Sequence, residues 1–319
     1  MVDAINLALK QEMKKDKRVV VLGEDVGKEG GVFRVTAGLQ KLYGKERVVD
    51  TPLSESGIIG TSIGMAVIGL RPVSEIQFCG FVYPAFNQII SHAARIRNRS
   101  RGRFNCPMVI RLPYSGGIRA LEHHSESMEG LFAHIPGLKV VIPATPYDAK
   151  GLLISSIRDE DPVLFMEPKR MYRAIKQDVP EQEYTIPIGK ANVVQEGSDV
   201  TLIAYGSMLR EAQKAADEVT SNVSCEVIDL RTIKPMDTET IIKSVKKTGR
   251  CVVVHEGPRT CGVGAEIIAR INEKAALELE APVERVTGFD TVFPYFQNEN
   301  HYLPEQHRIV NAIKKVMDF

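Results

Sequence analysis

TPLSESGIIGTSIGMAVIGL, residues 51–70, joins a β-branched run that ends at Asp50 to a segment that reads as a buried helix. The helical part, 58–70, is apolar and carries glycines at positions 60, 64 and 69, so neighbouring elements can pack closely on it. Glu55 therefore sits at the mouth of a tightly packed helix with little water around it. Desolvation disfavours a carboxylate, so this residue is expected to hold its proton and to exchange it with a bound heterocycle.

Outward from this segment, short β-branched runs alternate with longer helical patterns, the signature of a parallel sheet covered by helices on both faces. Strands are predicted at 19–22, 48–50, 73–78, 108–112, 139–142 and 163–166, and helices at 57–68, 84–98 and 147–158. The consecutive apolar residues of these strands imply burial on both faces. An amphipathic helix (Ile5, Ala8, Leu9, Glu12, Met13) precedes them. The stretch 168–187 is polar and proline-bearing and reads as a linker. Alternation then resumes, with strands at 201–204, 225–228, 251–254 and 283–286 and helices at 208–220, 238–248, 264–274 and 305–317. The expectation is α/β throughout: a larger domain over 1–180 and a smaller one over 181–319.

The bulk numbers exclude several function classes. Forty-one basic residues against forty acidic ones leave a charge of +1, so no global field draws the chain to nucleic acid or anionic lipid. No segment is both apolar and long enough to span a bilayer. Five cysteines without a C-x-x-C pair suggest neither a zinc site nor a disulfide framework, and fit a reducing cytoplasm. No export signal is visible at the N-terminus.

Several stretches could carry chemistry. EIQFCGF, residues 75–81, places Phe78 and Phe81 at the carboxyl end of a parallel strand, where open α/β sheets bind ligands. Taken alone, both rings read more readily as core. The loop 111–130 is long and holds Gly116, Gly117 and the pair His123 and His124. Imidazole exchanges protons near neutral pH, and a solvent-facing pair with no task weighs about evenly against that reading. GEDVGKEGGVF (23–33) and GPRTCGVG (257–264) match no phosphate-loop order and read as ordinary connections. Arginines at 95, 97, 99, 101 and 103 scatter around a helix and suit acidic groups across a subunit contact better than nucleic acid. In IRDEDP (157–162), Asp159 and Asp161 make an oxygen-rich cluster that suits either a hard cation or simple helix-end solvation.

Taken together, GEDVG, GGVFR, TPLSESG, EIQFCGFVYPAFNQI, HHSESMEGLFAHIPGLKVVIPATPYDAKGLL, RDEDPV, GSDVTLIAYG, CEVIDLRTIKPMD and GFDTVFPYF are similar, in order and over nearly the whole chain, to the beta subunits of the thiamine-diphosphate-dependent decarboxylating component of 2-oxo acid dehydrogenase complexes. The resemblance implies a pyrimidine-binding α/β domain followed by a transketolase C-terminal-like α/β domain. It also implies roles. Glu55 would hydrogen-bond a ring nitrogen of the cofactor's aminopyrimidine and so help activate the thiazolium carbon. Leu53 and Gln77 would line the pyrimidine pocket, and Phe81 would present an aromatic face where relatives often have tyrosine. His124, in the H-S-x-S loop, would assist acyl passage to a lipoyl arm. Ser156, Asp159 and Asp161, with the backbone carbonyls of Cys106 and Met108, match a potassium site, although Asp161 stands where relatives commonly have asparagine.

Thiamine enzymes of this kind bind the diphosphate through a divalent metal held by a G-D-G motif, and none occurs in this chain. The resemblance therefore implies half an active site. An alpha subunit would hold the Mg2+ and diphosphate in an α2β2 heterotetramer, and a lipoyl acyltransferase core would dock on the assembly. The implied reaction is oxidative decarboxylation of a 2-oxo acid and reductive acylation of the lipoyl group. FVYPAFNQI leans the substrate slightly toward branched-chain acids, with pyruvate as the alternative. A self-sufficient transketolase-like enzyme would need the missing motif, and a non-catalytic assembly subunit would need neither Glu55 nor His124.

Overall fold

The computed structural model describes residues 1–319. Six strands, β1 (Val19–Gly23), β2 (Val48–Asp50), β3 (Arg71–Glu75), β4 (Val109–Tyr114), β5 (Lys139–Val141) and β6 (Val163–Pro168), form a parallel sheet in the order β5-β6-β4-β3-β1-β2. Every residue in β1, β4 and β6 is buried, as the largely apolar runs require when helices cover both faces, with Arg111 and Glu167 as the charged exceptions. Helix α1 (Val2–Lys15) packs with α3 (Pro146–Arg158) on one face, while α2 (Glu55–Val67) lies against β3.

The second unit contains β7 (Asn192–Gln195), β8 (Val200–Ala204), β9 (Cys225–Asp229), β10 (Thr232–Lys234), β11 (Cys251–Val254) and β12 (Glu284–Val286). Its own sheet runs β12-β11-β8-β9-β7, parallel except for the β7 edge. The remaining strand, β10, leaves this unit and pairs antiparallel with β5, closing an edge of the first sheet. Lys234 extends the join, donating to the carbonyls of Ala133 and Ile135 at 2.9 and 2.8 Å.

The hydrophobic core likewise crosses the boundary, running from Leu22, Ile110 and Ile142 to Tyr205, Ile228 and Ile267. Gly206, at φ 55°, opens a helix over Ser207–Val219 and lies so close to the Tyr114 hydroxyl that a side chain would collide with it. No helix is long and apolar enough to cross a membrane.

Three sequence expectations are corrected. The helix expected over 84–98 is broken into Cys79–Ala85, Phe86–Ser91, Ala93–Arg95 and Ile96–Arg99, because Pro84 has no N–H to donate and His92 leaves the helical region. The linker begins later than expected: Lys169, Met171 and Tyr172 are buried, and the Tyr172 hydroxyl donates to Glu167 at 2.5 Å. Strands β7 and β10, both edge strands without sustained apolar runs, were not anticipated.

Candidate active site

The carboxyl ends of β1, β2, β3 and β4 lie side by side at one end of the sheet, as parallel strands dictate. Glu55 is the first residue of α2, whose N-cap Ser54 accepts the Gly57 N–H at 3.3 Å. It is only 9% exposed, yet no ion pair or hydrogen bond within the chain engages its carboxylate. Glu24, just after β1, faces it: burial first, then the charges of Glu55 and Asp25, push the Glu24 carboxyl up from its ordinary value. Gln77, beyond β3, donates to Asp25 at 3.4 Å.

Above these groups lies an aromatic cage. The His124 ring is 4.4 Å from Phe78 and 5.1 Å from Phe81 between centroids, and Phe33 stands 5.4 Å behind Phe78. Its Nδ1 is buried and unpartnered. Burial lowers the His124 pKa, the Lys169 ammonium and His123 lower it further, and Glu122 partly offsets them. The imidazole is therefore neutral at neutral pH, able both to accept and to donate a proton.

The loop carrying His124 is pinned from the second unit. Glu256 accepts the Gly116 N–H at 2.5 Å, Glu299 accepts the Gly117 N–H, and buried Lys169 donates to the Ser115 carbonyl. Gly80 lets the segment after β3 pass against the His123 carbonyl, where a Cβ would clash. His123 is exposed and faces Glu126 at 3.9 Å, away from the cage.

These residues fit the pyrimidine half of thiamine diphosphate. A carboxyl group and a ring nitrogen without protein partners lie at this end of the sheet, an aromatic face lies beside them, and the Thr51 hydroxyl is buried without a partner. Leu53, at the same turn, is 80% exposed, an uncommon position for a large apolar side chain unless something covers it.

Asp159 and Asp161 each face a side-chain cation of the chain. Lys139 donates to both Asp159 oxygens at 2.7 and 2.6 Å, and Arg97 donates to Asp161 at 2.6 Å. Ser156 turns back to the Leu152 carbonyl, while the carbonyls of Cys106 and Met108 accept the N–H groups of Met108 and Val163. No group of three or more His, Cys, Asp or Glu side chains that could hold a metal exists in the chain. Arg97 finds an acidic partner within the chain.

Sequence reasoning missed Glu24, Asp25, Lys169 and the buried trio of Arg111, Glu75 and Glu167. Arg111, with no exposed surface, reaches Glu75 at 2.5 Å and Glu167 at 2.6 and 2.8 Å. The available signal was a lone arginine inside the apolar run MVIRLPY, which must be paired to be buried.

Comparisons with known proteins agree with this geometry. Residues 1–175 match the family described as transketolase, pyrimidine binding domain, and 189–309 match transketolase, C-terminal domain. A solved structure titled split gene transketolase, inactive beta4 tetramer, shares the fold at a TM-score of 0.82 and 22% identity, over 99% of this chain and 97% of that one. The fold and site thus define a two-domain protein of the transketolase type. Among curated proteins, the pyruvate dehydrogenase E1 component subunit beta of Acholeplasma laidlawii is 57% identical over 99% of this chain and 97% of its own. The proteins of that name from Staphylococcus aureus and Staphylococcus epidermidis are each 54% identical over 100% of this chain and 98% of theirs. The chain belongs to the family of beta subunits of the thiamine-diphosphate-dependent E1 component of 2-oxo acid dehydrogenases. These relatives are named for pyruvate, which favours the alternative over the branched-chain leaning of FVYPAFNQI.

Proposed function

We propose that this chain, with an alpha subunit, catalyses oxidative decarboxylation of pyruvate and passes the acetyl group to the lipoyl arm of an acyltransferase core. The observation that carries this is the Glu55 side chain, 9% exposed at a helix start and without a hydrogen bond or ion pair in the chain, together with the buried, unpartnered Nδ1 of His124. Bound thiamine diphosphate would supply the nucleophilic carbon and the electron sink for decarboxylation of the 2-oxo acid. Glu55 presents its carboxyl group toward the pyrimidine ring nitrogen, with Glu24 beside it. Phe81 and Phe78 exclude water and keep the ring plane, and His124 moves a proton as the acyl group leaves. Leu53 and Gln77 border the same ring.

The alpha partner supplies the metal and diphosphate half, since this chain has no G-D-G motif, and α2β2 is the assembly that places both halves together. A reducing cytoplasm suits the five free cysteines. The test is a reconstituted enzyme assayed with pyruvate and with branched-chain 2-oxo acids, for the wild type and Glu55→Gln. Pyruvate should be preferred, and Glu55→Gln should assemble normally while decarboxylating at least about 100-fold more slowly, in line with the usual worth of a positioned proton donor. Undiminished rates in that variant would overturn the Glu55 role, and a clear preference for branched-chain acids would overturn the substrate.

A further inference from the structure

Between the two units, on the far side of the loop that carries His124, lies a cavity of about 640 Å3, within the size range of small-molecule sites. Its walls are apolar where they come from Phe86, Met128, Ile135 and Phe293. Two carboxyl groups interrupt them. Glu129 is 2% exposed, and while its Oε1 accepts the Tyr205 hydroxyl at 2.8 Å, its Oε2 is buried with no partner. Glu126 gives Oε1 to the Tyr83 hydroxyl at 3.1 Å and likewise leaves Oε2 buried without a hydrogen bond. Buried acceptors left unpaired cost about 1–3 kcal/mol each, more when charged, so two in one cavity call for a donor from outside the chain.

We propose that this cavity is a binding site for a small organic cation, an amine on an apolar body, whose ammonium group donates to Glu126 and Glu129 while the body packs against the aromatic and aliphatic walls. The Glu129 carboxyl, pushed up to about 7 by burial, is poised so that an arriving ammonium group returns it to the charged form. An anion would meet two carboxyl groups that repel it, and a neutral apolar molecule would leave both oxygens unpaired. The site adjoins the active-site loop through Ser127 and Glu126 but uses neither Glu55 nor His124, so it stands apart from the proposed reaction.

Cys261 provides a reporter. It lines the cavity and is exposed, whereas the other four cysteines are buried. The experiment uses the assembled protein with its alpha subunit and three isosteric probes: 2-phenylethylammonium, 2-phenylethanol and phenylacetate. Calorimetry should show saturable binding of the ammonium probe at least tenfold tighter than the alcohol, and no binding of the anion. The same probe should slow alkylation of Cys261, and the double variant Glu126→Gln, Glu129→Gln should lose that tenfold preference while still binding the alcohol. Equal affinity for amine and alcohol would overturn the proposal, as would an amine preference that survives in the double variant. So would a Cys261 that reacts in the free chain but not in the assembly, because the alpha subunit would then cover the cavity.

Discussion

His124 shows how a single side chain is tuned by its surroundings. Desolvation by the aromatic cage and the positive charge of Lys169 both disfavour the imidazolium, so the folded pKa lies below that of an ordinary histidine. Lys169 is itself buried, and its pKa is lowered to about 8, so the ammonium form still predominates at neutral pH. Removing that charge should raise the His124 pKa. In Lys169→Met, a histidine proton titration should therefore show His124 protonating at higher pH than in wild type, and acyl transfer to a lipoyl domain should weaken at correspondingly higher pH as the medium is acidified. A downward or absent displacement would show that Lys169 does not act on the ring. The H-S-x-S spelling marked His124 in the sequence. Its cage did not show there, because Phe33 comes from a different connection from Phe78 and Phe81, and these rings meet His124 only when the sheet is assembled.

At the scale of elements, strands β3, β4 and β6 are held by more than their ladders. Arg111 projects from β4 between Glu75, the last residue of β3, and Glu167 near the end of β6, while Tyr172 braces Glu167. Burial pushes the Glu75 carboxyl up and the Arg111 charge pulls it down, so charge and desolvation oppose each other within one trio. Taking away the cation leaves two carboxylates with no partner in a dry interior. Arg111→Met should cost about 3–5 kcal/mol in denaturant unfolding. A loss below about 1 kcal/mol would show that the carboxyl groups simply protonate and repack. Parallel strands were readable because apolar runs of that length have few alternatives. Strand ends were less so: 73–78 was expected where Arg71–Glu75 is observed, since the chain after Glu75 stays apolar but leaves the sheet. The partners of Asp159 and Asp161 were not readable for a related reason, because Lys139 and Arg97 lie far away in sequence and only the fold brings them close.

Across the whole molecule, alternation of strand and helix announced two α/β units, but it could not show how firmly they are joined. Three independent connections cross the boundary: β10 completes the first sheet, Tyr114 tucks against Gly206, and Glu256 and Glu299 hold the backbone of the loop that presents His124. The loop that presents His124 is thus braced by residues of the second unit. Such bracing predicts a single cooperative unfolding event for the full chain. A fragment ending at residue 187 would expose the β5 edge together with Ile142 and Tyr114, all of which are covered in the intact protein. An uncovered edge strand beside exposed apolar side chains favours association over folding. Thermal unfolding of that fragment should therefore show no sharp transition and should be accompanied by binding of a hydrophobic dye. A fragment that melts sharply and stays monomeric would mean that the first unit stabilises its own core, and that the second serves only to hold the His124 loop.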